Sequence, residues 1–202
     1  AELDRLGERE NTIIVYTSDH GDMCGSHRLI DKHYNMYDDL VRVPLIISWK
    51  GHIEPRRVGG FSHGCLDVGP TLLGLVGIEY PEGAFHGADL SRALLQGCDT
   101  GLSYAVSTYN GQQFGLFCER MITDGKLKYV WNLTDIDELY DLELDPGELV
   151  NRINDDSYAE RVKELRLMLY EELRRCGDPI IGWTAHQLTE GKKLRGRGIY
   201  TI

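Results

Sequence analysis

Thr12-Ile13-Ile14-Val15-Tyr16-Thr17 is a run of β-branched and apolar residues that stops abruptly at Ser18-Asp19-His20-Gly21-Asp22. A short continuous run of this kind reads as a buried strand of the parallel-sheet type. Val43-Pro44-Leu45-Ile46-Ile47-Ser48-Trp49 repeats the pattern after a polar loop, and Lys50-Gly51 closes it. In open α/β sheets, ligands and catalytic groups gather at the C-terminal ends of strands. That rule puts Asp19 and His20 first among the candidate functional residues. A carboxylate is a hard anionic ligand and an imidazole a borderline neutral one, so the two together on a turn can bind one divalent cation. Gly21 lets the backbone turn without a side chain in the way. Lys32, thirteen residues after Asp19, is a candidate partner for an anionic group.

The rest of the chain changes texture. Residues 67–77 read as a helix with Asp67 as N-cap, Pro70 in the first turn and Gly77 as C-cap. A second short helix is expected over 89–96. From about 103, short half-alternating runs follow: 105–109, 115–118, 121–123 and 127–131. Asn110-Gly111 and Asp124-Gly125-Lys126 are turn signals, which predicts an antiparallel meander. A long helix starts at Ser157, with Val162, Leu165, Leu169, Leu173 and Cys176 at helical spacing as its core stripe and Gly177-Asp178-Pro179 ending it. The organisation expected is an α/β portion over 1–102 followed by an α+β subdomain over 103–202.

Composition narrows the function classes. The 202 residues carry 22 Lys+Arg against 32 Asp+Glu, a net charge of −10. Phosphate backbones need clustered cations, so no nucleic-acid partner is expected. The basic run Lys192, Lys193, Arg195 and Arg197 reads as a solvated tail. No apolar stretch reaches membrane-span length, and the charged opening AELDRLGEREN does not read as a secretory leader. Five scattered cysteines, Cys24, Cys65, Cys98, Cys118 and Cys176, form neither a zinc pattern nor a disulfide framework, which favours a reducing, cytoplasm-like compartment. Cys65 reads as a core residue, Arg120 as a surface arginine, His63 as part of a structural turn and Asp38-Asp39 as a helix terminus.

Ser18-Asp19-His20-Gly21-Asp22, then Gly25, His27, Leu29 and Lys32, then Arg42-Val43-Pro44-Leu45-Ile46, resembles the second metal-site block of the sulfatase family in the alkaline phosphatase superfamily. Asp67…Pro70-Thr71-Leu72-Leu73…Gly77-Ile78 is similar to a helix that follows the family's active-site region. Lys128-Tyr129 and Glu138-Leu139-Tyr140-Asp141-Leu142…Asp145-Pro146-Gly147-Glu148…Asn151 resembles its C-terminal subdomain signature. The resemblance spans about 12–175. It implies the terminal part of a sulfatase-like mixed sheet domain, followed by a small antiparallel α+β subdomain. It makes Asp19 and His20 ligands of a divalent ion (Ca, Mg or Mn), Lys32 the lysine that neutralises the transferring sulfuryl oxygens, and His27 a neighbour in the same pocket. The substrate implied is a small-molecule or glycan sulfate ester.

Two family features are missing. Neither the formylglycine motif C/S-x-P-x-R nor the paired aspartates of an N-terminal strand is present. Cys24-Gly25-Ser26-His27-Arg28 keeps Cys and Arg four apart but lacks the proline and lies inside the metal block. The resemblance therefore implies the C-terminal half of a sulfuric ester hydrolase, with formylglycine in a segment not included. The partner expected is that missing N-terminal half or a second copy of the chain. The alternatives are a phosphonate or phosphate ester hydrolase of the same superfamily, which the Asp-His pair permits, and a non-catalytic split-gene remnant or binding domain.

Overall fold

The structure, a computed structural model, describes residues 2–32, 34–111 and 117–192, without the Trp183 side chain. The chain divides into two compact units, 1–107 and 108–202. The first contains α1 (Glu2–Leu6), β1 (Ile13–Thr17), α2 (Asp38–Val41), β2 (Leu45–Trp49), α3 (Cys65–Leu75) and α4 (Ser91–Gln96). β3 (Ala105–Tyr109) runs through the boundary. The second holds β4 (Glu119–Thr123), β5 (Leu127–Asn132), β6 (Glu138–Asp141), α5 (Ala159–Arg175) and α6 (Ile181–Thr189).

β1 and β2 form a two-stranded antiparallel ribbon, in register from Ile13↔Trp49 to Thr17↔Leu45. This corrects the reading of β1 as a parallel-type buried strand. A continuous apolar run reports a tendency to be buried but carries no strand direction, and Tyr16 and Ile46, opposite one another, are exposed. α3 starts two residues before the expected Asp67. Its Pro70 therefore lies past the first turn and cannot bond the Leu66 carbonyl. Gly87 passes so close to that carbonyl that a Cβ there would meet its oxygen at 2.0 Å. Gly77 (φ 70°) ends the helix as expected, with Ile78 N–H returning to Leu73 O.

The second unit is built on the sheet β3-β4-β5-β6, in which β4-β5 and β5-β6 are antiparallel. Of the run expected over 115–118, Gly115 and Leu116 lie outside the described residues. Phe117 and Cys118 are not strand, and the fourth strand is Glu138–Asp141. Lys193, Arg195 and Arg197 also lie outside the described residues. One sheet face carries Ile122, Tyr129, Trp131 and Leu139 and packs on the stripe Leu165, Leu169 and Leu173 of α5, all buried. The other face carries Glu119, Met121, Lys128, Val130, Asn132, Glu138 and Tyr140.

Three single-residue expectations fail. Lys192, read as part of a solvated tail, is only 17% exposed and donates to Asp137 and to the carbonyls of Asn132 and Asp135. Arg120 is fully buried, its guanidinium bonded to Asp178, Asn110 and the carbonyls of Tyr109 and Glu119. A strand arginine is buried when one planar fork can satisfy every N–H at once. Cys65 is exposed, because it begins α3 instead of lying within a core.

Candidate metal centre at the end of β1

β1 ends at Thr17 and delivers Asp19 and His20 to the loop that follows. Three hydrogen bonds shape the turn. Ser18 Oγ–H donates to His20 O at 2.7 Å, His20 N–H donates to Asp19 Oδ1 at 3.1 Å, and His20 Nδ1 lies 2.7 Å from Gly21 O. The last contact decides the chemistry of the imidazole. A carbonyl can only accept, so the proton of the neutral ring sits on Nδ1 and the lone pair on Nε2. Nε2 lies 3.5 Å from Asp19 Oδ2, and Asp19 is 82% exposed and His20 40%. A carboxylate oxygen and an imidazole lone pair at this spacing can share one cation, and the carbonyl behind Nδ1 orients the ring as in many metal sites.

Gly21 is required for a different reason from the one expected. Its φ is unexceptional, but a Cβ there would meet Asp39 O at 1.8 Å, and its N–H donates to Leu40 O at 2.8 Å. The glycine presses the metal-block turn onto α2, whose first turn holds Asp38 and Asp39 as expected. Met23, Met36 and Leu40, in and beside this loop, are each buried.

Lys32 is exposed, and its charge acts on both Asp19 and Asp22. The His20 imidazole is the main influence holding the Asp19 carboxyl below its usual range, with Lys32 adding to it. Asp22 is lowered chiefly by the Cys24 N–H, and also by Lys32 and His20. Asp22 thus joins the neighbourhood of the other three, although its sequence position alone suggested no role. His27 stacks on Tyr37 with ring centroids 3.7 Å apart and planes 9° from parallel. The loop around it is strained: Cys24, His27, Arg28 and Tyr34 all have positive φ, at about 1–2 kcal/mol each. The hydrogen bond to Asp22 raises the Cys24 thiol, which keeps it protonated and a poor nucleophile.

The N-terminus of α3 abuts this turn, Cys65 Sγ lying 3.7 Å from Ser18 O. Asp67, buried in the first turn of α3, ties the segment down. It accepts from Ser62 Oγ, His63 N–H and Ala88 N–H. Burial pushes its carboxyl up, but hydrogen bonds led by the His63 side chain prevail and hold it below the usual range. Among the described residues, no group of three or more His, Cys, Asp or Glu side chains is placed to hold a metal ion. Asp19 and His20 would by themselves supply two donors of a cation's shell.

Comparison with known proteins gives the family and the fold. The sulfatase family model matches residues 1–78. The chain is 37% identical over 175 residues to the uncharacterized sulfatase YidJ of Escherichia coli K12, covering 85% of this chain and 34% of that protein. BT4656, solved in complex with its substrate D-glucosamine-2-N,6-O-disulfate, matches with a TM-score of 0.77 and 32% identity over 87% of this chain and 37% of that one. The phosphonate monoester hydrolase of Agrobacterium radiobacter matches with a TM-score of 0.77 and 29% identity over 86% and 37%. The chain spans about a third of the length of the curated relatives it matches. With its metal-block segment matched in sequence and its architecture shared with these proteins, the chain belongs to the sulfatase family.

Proposed function

We propose that this chain supplies two metal ligands, Asp19 and His20, and a charge-stabilising lysine, Lys32, to a sulfuric ester hydrolase. The observation that carries the reading is the His20 ring, held at Nδ1 by Gly21 O with Nε2 3.5 Å from Asp19 Oδ2. A divalent cation (Ca, Mg or Mn) bound by these donors supplies Lewis-acid polarisation of a sulfuryl oxygen. The chain's own residues do the rest of what is assigned to it. The Asp19 carboxyl lies below its usual range, first through the charge of a protonated His20 and then through Lys32, and it stays ionised when His20 is neutral. Lys32, whose charge reaches Asp19 and Asp22, is assigned the neutralisation of non-bridging oxygens as charge develops on them. His27, immobilised on Tyr37, forms a wall of the same loop.

The C/S-x-P-x-R motif is not among the 202 residues, so turnover draws its nucleophile from outside them. The substrate class proposed is a sulfated sugar or other small sulfate ester. Its support is the fold shared with BT4656, whose substrate is a doubly sulfated glucosamine. A second reading, a phosphonate ester hydrolase, is favoured by the equal TM-score to the phosphonate monoester hydrolase.

The test is Mn²⁺ binding by calorimetry. We expect weak binding that Asp19→Ala abolishes and that Asp38→Asn, outside the donor pair, leaves intact. Equal affinity in Asp19→Ala and the parent overturns the ligand assignment. Relative turnover of aryl sulfate and aryl phosphonate by the protein joined with the nucleophile-bearing segment then separates the two ester classes.

A further inference from the structure

Among the described residues of the second unit, the buried oxygens Glu119 Oε2 and Asn132 Oδ1 have no hydrogen-bond partner. Glu119 is 1% exposed and Asn132 2%. The two residues are register partners on β4 and β5, so their side chains leave the same face with Cβ atoms about 5 Å apart. The Asn132 amide has one possible orientation. Its Nδ2 donates to Ile136 O at 2.8 Å and Glu138 Oε1 at 3.2 Å, both acceptors on the β6 side. Its Oδ1 therefore points the other way, toward β4. The second Glu138 oxygen is occupied by Tyr140 O–H at 2.8 Å. With Glu119 ionised, both oxygens of this register pair are acceptors without a donor among the described residues, and each buried unsatisfied polar group is costly. One hydrogen atom removes both defects.

We propose that Glu119 is a neutral carboxylic acid in the folded protein and that its Oε2–H donates to Asn132 Oδ1, a cross-strand hydrogen bond that is lost when Glu119 ionises. The surroundings agree. Burial raises the Glu119 carboxyl to about 7, and the carboxylates of Glu138 and Asp135 push in the same direction. The cations nearby are committed elsewhere. On the same face, Lys128 meets Glu148 at 2.7 Å. At the β5–β6 turn, Lys192 Nζ donates to Asp137 Oδ1, Asp135 O and Asn132 O. α5 and α6 pack on the opposite face, where Arg166 acts on Tyr129, Gln187 accepts from Trp131 Nε1–H, and Arg120 is bound by Asp178.

The linkage has a definite sign. Glu119 is raised from 4.5 to about 7 on folding, so the folded state keeps a proton that the unfolded state releases. The stabilisation is fully present below pH 4.5, declines as pH rises, and is gone once pH passes about 7. Across that window one proton changes the unfolding constant by up to about tenfold per pH unit.

The experiment is urea unfolding of the intact protein at pH 5 to 8, as parent and as Glu119→Gln, with ¹³C-carboxyl NMR titration of Glu119 in the parent. Gln keeps an N–H donor for Asn132 Oδ1 but cannot ionise. We expect the parent's unfolding constant to rise relative to the variant's by up to about tenfold per unit from pH 5 to 7 and then level off. We also expect the Glu119 carboxyl carbon to titrate near neutrality. Parallel pH profiles, or a Glu119 titration near the ordinary carboxylate range, overturn the proposal. So does restoration of the parent at pH 8 by added Ca²⁺ with no effect on Glu119→Gln, which would make the bridging species a metal ion. If the variant does not fold, the NMR titration of the parent decides alone.

Discussion

Asp19 holds most of its side chain in solvent beside His20, whereas Lys128 and Glu148 meet at 2.7 Å with almost no exposure. The same kinds of charged group do opposite work in the two units. In the loop after β1 they are aimed by backbone contacts and left with capacity to bind something else. In the C-terminal sheet they are spent on one another: Lys128 on Glu148, Arg120 on Asp178, Lys192 on Asp137. Solvent screens the first set, so its arrangement contributes little to stability. The second set is desolvated, so each group depends on its partner. Exposure, more than residue type, separates the charges of the candidate site from the structural ones.

The largest effect should come from breaking a buried pair. Lys128→Ala leaves Glu148 charged and buried, and we expect a loss of about 3–5 kcal/mol in urea unfolding. A loss below 1 kcal/mol would place the pair with the exposed ones and remove the contrast. Gly21→Ala comes next. Its Cβ cannot coexist with Asp39 O, and displacing α2 should cost about 1–3 kcal/mol together with a drop in Mn²⁺ affinity. Affinity preserved at full value would show that α2 does not position the turn. The smallest effect on stability is expected from Asp19→Ala and Lys32→Ala, which should leave the unfolding midpoint unchanged. A clear shift in either midpoint would mean that the loop charges hold the fold together as well as aiming at a ligand.

The fold class was legible in the sequence, and the residues of the candidate site could be named there. Asp19, His20 and Lys32 stand in one short polar loop after an apolar run, and local chain geometry keeps such residues near each other. The roles of Gly21 O in fixing the His20 tautomer and of Asp22 in the local field needed coordinates. The helix from Ser157 was legible because its apolar stripe repeats at helical spacing. It begins with a 3₁₀ turn at Asp156 and runs as α5 to Arg175. The strand expected near 115–118 fails at Phe117 and Cys118, which are not strand although Leu133 N–H donates to Cys118 O at 2.9 Å, while Glu138–Asp141 is a strand because β5 offers it an edge. Arg120 was misread for a related reason: its burial depends on Asp178, 58 residues away.

What the sequence alone determined is what local spacing can encode: an apolar run ending in a metal-type dipeptide, a change of texture near 103, an amphipathic helix, and a block of residues matching the sulfatase pattern. Only the tertiary structure decided strand direction in the β1–β2 ribbon, which charges are buried, and which oxygens are left without a donor. Those outcomes turn on desolvation and on partners brought together from distant positions, and neither is a property of a residue and its neighbours in the chain.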